Sequence, residues 1–371
     1  MNNLYEATNL LSITIGKNLS DEKFLTPISK AITRTRDDIF SEYGVRLPPV
    51  RIHDGSINPF EYSIDVNDIP LGNFTLEDDS VLILDTGNVT KRIRGKSTKE
   101  PSFKMDAQWV PSSKKDLAVK NGYVVATYKS IVSVHLTEIA KKNLPSVITT
   151  QYVSDLLDEI DDDNRALTRN LSFKFDGDQF PFCMGPKSTG IVKKILRSLL
   201  EENVSIKNII PILEAICDGE GDENPNQILE RVRKSIALDI IRPYIENNAV
   251  HVFELSDPLQ QHLIKTVGTN MNIEFANRVT DFMADSKMGG DPCIVWPPFF
   301  RQALHIHADR KRLDIPFISG DEWLAVTKAL PSLKISVTKI DFEIPKEPSL
   351  DVVKEMAEKI EKHYSQPMGK I

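Results

Sequence analysis

Gly95-Lys96-Ser97-Thr98 is the peptide in this chain that most invites a chemical reading. A glycine-lysine-serine turn can cradle phosphate with backbone N–H groups and a lysine charge. Asp85, closing the apolar run Val81-Leu82-Ile83-Leu84, resembles a metal-holding carboxylate at the end of a strand. A phosphate loop also needs a glycine five residues before the second one, so that the backbone can curl round the anion. Position 90 is Thr90, and Gly185-Pro186-Lys187-Ser188 fails in the same way, with Phe180 in that place. One reading left open is a nucleotide- or phosphate-binding enzyme using the basic 91–99 segment.

Metal and nucleophile chemistry fare no better. His305 and His307 lie in a segment with helical patterning, where residues two apart point ~200° away from each other and cannot share an ion. Asp161-Asp162-Asp163 and the acidic run Asp218 to Glu223 resemble calcium loops until positions are counted: Arg165 stands at the fifth place of the first, and Glu223 occupies the glycine position of the second. Both read as solvated loops, the first continuing to Met184. Cys183, Cys217 and Cys293 match no disulfide or zinc spacing, and no G-x-S-x-G or H-E-x-x-H motif is present. The expectation is a protein without enzymatic activity, metal or cofactor, whose function is binding.

With 371 residues, 40% of them hydrophobic and 27% charged, the chain can build two or three cores, and its composition suggests neither disorder nor a fibrous repeat. A net charge of −7 offers phosphate backbones no overall attraction, so nucleic acid is not an expected partner. No window approaches the ~18 apolar residues that span a bilayer, and the N-terminus lacks a basic secretory n-region, which suggests a cytoplasmic location.

Mixed α and β structure must position whatever site exists. Leu10 to Ile15 alternates as a strand, and Asp21-Glu22 opens a helix with Leu25, Ile28 and Ile32 on one face. Residues 45–85 are strand-rich; Trp109-Val110 and Tyr123-Val125 flank a short helix from Lys114 to Lys120; a further helix runs from Ile131 to Lys142. Helices at 191–200, 206–216 and 228–241 follow. Beyond Pro243, strands at 249–255, 293–296, 315–319 and 333–340 alternate with helices at 258–267, 272–284, 299–310 and 321–329, the signature of an α/β layer with crossover helices. Past Pro345 and Pro348, Leu350, Val353, Ala357, Ile360 and Tyr364 share a helical seam, fit either to dock on its own domain or to bind a partner.

Several blocks, in order, resemble the cytoplasmic domain of the large export-gate protein of bacterial type III secretion, a family shared by flagella and virulence injectisomes. Pro49-Val50-Arg51-Ile52-His53-Asp54, then Glu61-Tyr62-Ser63-Ile64, resembles its P-x-V-R-I-R-D and x-Y-x-I segments, with His53 in place of arginine. GKSTKEPSF, from Gly95 to Phe103, resembles the G-x-x-T-x-D-P-A-F loop. Trp109-Val110, Gly122 to Val125 and His135-Leu136-Thr137-Glu138 fall at further family positions, as do Glu230 to Arg233 and Asp257-Pro258-Leu259. Ile195 to Ile216 resembles the long V-L-x-x-L-L block, the most specific of all.

The resemblance implies four subdomains: a discontinuous α/β first (1–78 and 128–148), a small α/β insertion (79–127), a helical third (149–240) and an α/β fourth (241–344), followed by a helical tail (345–371). It implies a docking platform that passes substrates to a membrane channel, with export chaperones, their cargo and other export-apparatus proteins as partners. It further implies a nonameric ring at the inner-membrane face, held there by a membrane domain that this chain lacks. In flagellar members an aspartate, a phenylalanine and a threonine line the chaperone cleft; the matching positions here are Glu100, Phe103 and Val134, where the hydroxyl is lost. Arg231 and Arg233 are candidate ring contacts. A free-standing regulatory homologue would share these features and differ only in its partners.

Overall fold

The computed structural model of the chain describes residues 10–171, 189–218, 224–265, 270–296, 300–311 and 313–343. It is a mixed α/β protein with three four-stranded sheets among those residues.

The first sheet starts at β1 (Leu11–Ile15), whose apolar side chains are buried. Helix α1 (Glu22–Tyr43) follows, its first turn capped by the Asp21 carboxylate, which accepts from the Phe24 N–H at 2.9 Å. Gly44 ends it in the left-handed conformation, φ 74°, and a Cβ there would lie 2.4 Å from the Lys207 backbone, so glycine is required twice over. Strand β2 (Arg51–Asp54) runs parallel to β1, and β3 (Glu61–Val66) runs antiparallel on its other side. Asn67 and Asp68, both with positive φ, then reverse the chain tightly into β4 (Ile69–Thr75). Pro70 and Gly72 hide β4 in the sequence; it is tolerated because it is the sheet's edge, where a missing N–H costs no ladder bond.

The second sheet, order β6-β7-β5-β8, uses β5 (Ser80–Leu84), β6 (Lys96–Lys99), β7 (Asp106–Pro111) and β8 (Val124–Ala126), with α2 (Lys115–Lys120) between β7 and β8. Period-two alternation gives β5 two apolar faces. Val81 and Ile83 pack with Val110, Ala118 and Tyr123 in a small core, while Leu82 and Leu84 join Ala107 and Trp109 in the large core shared with the first sheet. Lys96-Ser97-Thr98, the tail of the phosphate-loop-like peptide, is the edge strand β6. Extended backbone cannot converge successive N–H groups on an anion, and the Lys96 ammonium is bonded to Glu77.

Helix α3 (Tyr128–Lys142) is capped reciprocally by Thr127 and Ser130 and returns to pack on α1. A helical region follows: α4 (Leu144–Val147), α5 (Thr150–Leu171), α6 (Thr189–Glu201), α7 (Ile209–Cys217), α8 (Pro225–Ser235) and α9 (Ala237–Ile241). Three expectations are corrected here. Asp161 to Asn164 belong to α5, which bends at Asn164 (φ −131°, ψ 36°) instead of ending in a loop; residues 172–184 of that expected loop lie outside the described residues. The helix expected from Ile206 begins at Ile209, and the one expected over 228–241 is broken at Ile236.

By its contacts the chain divides into two units: residues up to Pro243 with Leu324–Ala329, and the remainder from Tyr244. The second holds β9 (Ala249–Leu255), α10 (Asp257–Lys265), α11 (Asn270–Asp285), β10 (Cys293–Val295), α12 (Phe300–Arg310), β11 (Phe317–Ser319) and β12 (Lys334–Ile340); α13 (Gly320–Ala329) connects the last two strands. Its sheet, order β11-β10-β9-β12, is parallel throughout, as the alternating pattern requires. His305 and His307 sit two apart on α12, as expected. The 345–371 tail lies outside the described residues. No helix among them is long and apolar enough to cross a membrane.

Candidate partner-docking site

Glu100, Phe103 and Val134 come from two places in the chain, the β6–β7 loop and the exposed side of α3. The loop is tied at its base: the Glu100 N–H donates to the Met105 carbonyl at 2.8 Å, and the Lys104 N–H donates to the Glu100 carbonyl at 3.0 Å. The Glu100 side chain, only 6% exposed, turns back into the loop and accepts from the Ser102 and Phe103 N–H groups at 2.8 and 2.7 Å. A carboxylate on two backbone donors fixes the loop's shape as a charge-assisted clamp. Glu100 therefore does not face a partner; it holds the loop so that Phe103 and Met105, each 46% exposed, stand outward.

Val134 is 41% exposed on α3, and the next residue, His135, points inward. The His135 ring meets the Tyr62 hydroxyl at 2.9 Å through Nδ1. Burial, then the nearby Lys104 ammonium, lowers the His135 pKa to about 4, with Glu100 opposing; burial and the Glu100 charge raise that of Tyr62 well above its ordinary value. Two of the charges that act on His135, Lys104 and Glu100, therefore come from the β6–β7 loop.

Behind them runs an aromatic chain. His135 meets Tyr62 edge-on at 5.8 Å, Tyr62 meets Phe74 edge-on at 6.5 Å, and Phe74 stacks on Trp109 at 5.8 Å. It links α3, β3, β4 and β7 into one support. Gly72 lets α3 seat on the backbone of β4, since a Cβ there would lie 2.4 Å from Ile139 and 2.6 Å from His135. β4 lies within the stretch expected to be strand-rich, although Phe74 and Gly72 carry no local signal of their roles; the Asn67-Asp68 turn marks where the strand begins.

A pH test follows from His135. Because its pKa in the fold lies below the ordinary 6.5, the unfolded chain binds more protons between those values. Stability is expected to be fully present above pH 6.5, to fall as the pH drops towards 4, and to level off below that as far as this group is concerned. Denaturant midpoints against pH measure it; His135→Gln should flatten that part of the curve, and an unchanged slope would refute the assignment.

The two candidate ring arginines are turned inward. Arg233 is 1% exposed and forms an ion pair with the nearly buried Glu202 carboxylate at 3.1 Å, between α8 and the end of α6. This corrects its expected place on a subunit-facing surface: both charges lie inside the helical region. Arg231, half-buried, donates through Nε to the Ala215 carbonyl at 2.7 Å, satisfying one of the open carbonyls in the last turn of α7.

The comparison with known proteins agrees with the motif blocks. A sequence profile of the FHIPEP family matches residues 2–325. The chain belongs to that family. The chain is 26% identical over 322 residues to the flagellar biosynthesis protein FlhA of Helicobacter pylori, covering 82% of this chain and 42% of that protein. It is 30% identical over 223 residues to FlhA of Bacillus subtilis, covering 59% of this chain and 31% of that protein. It thus spans less than half the length of these FHIPEP relatives. Its fold is similar to that of Chlamydia pneumoniae CdsV (TM-score 0.66, 16% identity, 91% of this chain and 99% of that one). It is also similar to the nonameric EPEC SctV-C (TM-score 0.65, 17% identity, 90% and 98%). The export-gate family that the sequence blocks resembled is the family found.

Proposed function

We propose that this FHIPEP chain is a non-enzymatic docking platform of a type III export gate, holding chaperone-cargo complexes before their substrates pass to a membrane channel. The observation that carries the reading is the clamped β6–β7 loop: a buried carboxylate spends its hydrogen bonds on the backbone, and the result is an exposed aromatic side chain on a rigid support. Rigid, outward-facing aromatics next to apolar neighbours are what interface hot spots are made of. Phe103 and Met105 supply the anchor and Val134 the adjoining apolar surface, while Glu100 acts as a positioning residue.

On this reading the four subdomains expected from sequence form one cytoplasmic assembly at the inner-membrane face, attached through a membrane domain carried by the longer relatives. Ring assembly belongs to the same reading; a chain that stays monomeric at every concentration, membrane-tethered forms included, would contradict the ring. The docking test is Phe103→Ala. Affinity for a purified chaperone-cargo complex should fall by ~1–3 kcal/mol, about 5- to 150-fold, with an unchanged far-ultraviolet circular dichroism spectrum. Equal affinity in the two proteins would remove Phe103 from the site.

A further inference from the structure

The inserted sheet is basic within an acidic chain. Residues 79–127 hold nine lysines and arginines against five aspartates and glutamates, whereas the whole chain carries a net charge of −7. Lys91, Arg92 and Arg94 lie on the segment that leads into β6; all three are exposed, and none forms an ion pair with the described residues. The backbone that bears them is pinned. The Thr90 N–H donates to the Asn121 carbonyl at 3.0 Å, the Ile93 N–H to the Tyr123 hydroxyl at 3.1 Å, and the Gly95 N–H to Gln108 Oε1 at 2.9 Å. Cations on a fixed backbone are preorganised for a negative partner.

Beside them runs an open sheet edge. β6 is the terminal strand in its order, pairing Lys96 with Trp109 and Thr98 with Ala107 of β7. The bond from the Glu100 N–H to the Met105 carbonyl continues that register. In an antiparallel ladder, residues of one parity bond the neighbouring strand and those of the other parity face away. The N–H and C=O groups of Ser97 and Lys99 therefore point outward, and no described strand pairs with that side. The Lys99 ammonium meets Asp106 at 3.1 Å, but that pair is solvent-exposed and weakly held.

We propose that the outer edge of β6, with the basic segment leading into it, adds an acidic, extended segment of a partner protein as a fifth strand of this sheet. The surface goes beyond the Phe103 site and does not depend on it. Charge selects the occupant. Lysines on a sheet edge keep a second copy away, because two basic edges repel, but they attract an acidic strand. The backbone selects it too: Ser97 and Lys99 offer carbonyls as well as N–H groups, and a peptide strand both donates and accepts, whereas a phosphate surface has only acceptors.

The experiment uses the full chain and a fluorescein-labelled peptide of about ten residues, alternating glutamate and valine, with fluorescence polarisation as the readout. Saturable binding with a dissociation constant below ~100 µM is expected, weakening as salt is raised. Arg92→Glu combined with Arg94→Glu should weaken it ~10-fold or more. Ser97→Pro removes an outward N–H and spares the ladder to β7, so it should weaken binding ~10-fold with an unchanged circular dichroism spectrum. The same peptide methylated at its backbone nitrogens leaves the protein untouched and should lose binding to the same degree or more. Full binding of the methylated peptide would overturn strand addition. Absence of peptide binding by the unaltered chain would overturn the proposal, and binding of phosphatidylserine vesicles in its place would assign the basic segment to a lipid surface.

Discussion

Trp109→Ala is expected to destabilise the first unit by ~3–5 kcal/mol, the range for removing a large buried aromatic side chain. Trp109 is nearly buried on β7, its ring stacks on Phe74 of β4, and both belong to the core that joins the inserted sheet to the first. Alanine would leave a cavity in that shared core, and Phe74 would lose its stacking partner. Trp109→Phe keeps an aromatic surface there and should cost markedly less. Denaturant unfolding followed by far-ultraviolet circular dichroism measures both, and a loss below ~1 kcal/mol for alanine would show that the sheets are held together by something else. Because the clamped loop enters β7 at Asp106, the same substitution should weaken partner binding without altering any residue on the exposed surface.

Arg233→Ala should cost a comparable ~3–5 kcal/mol, for an electrostatic reason: it removes the cation that meets the nearly buried Glu202 carboxylate at 3.1 Å. The companion variant is diagnostic. Replacing the pair together, Arg233→Met with Glu202→Leu, removes both charges at similar volume and should recover most of the lost stability, because a buried ion pair often does little better than a hydrophobic contact. A double-mutant cycle in thermal or denaturant unfolding yields the coupling directly. If Arg233 were a contact between subunits, the single substitution would change the mass of the assembly and leave the unfolding midpoint of the monomer alone; that result would refute a buried structural role for Arg233.

The candidate site was legible in part. Its location came from the order of the motif blocks, which placed GKSTKEPSF before Trp109 and His135-Leu136 after it. The roles inside it did not. The resemblance implies Glu100 and Phe103 as residues of the cleft, and only the loop's closure on itself brings the Ser102 and Phe103 N–H groups onto that carboxylate. Phe103 could equally have been a core residue on composition alone; its exposure is a consequence of that clamp. Phe74 and Gly72 belonged to a strand whose Pro70 and Gly72 argue locally for a turn, and edge position in the sheet is what makes them acceptable.

By itself the sequence determined the family, the mixed α/β class and the alternating strands and helices beyond Pro243, because burial on one face of each element leaves a period of two or of 3.6 that needs no knowledge of neighbours. Tertiary structure alone decided the rest. It turned the phosphate-loop-like peptide into an edge strand, set Arg233 inside the helices and left Ile335 and Val337 uncovered on β12. The physical reason is the same in each case: what a charged or apolar side chain does depends on which distant segment meets it, and local periodicity carries no record of that partner.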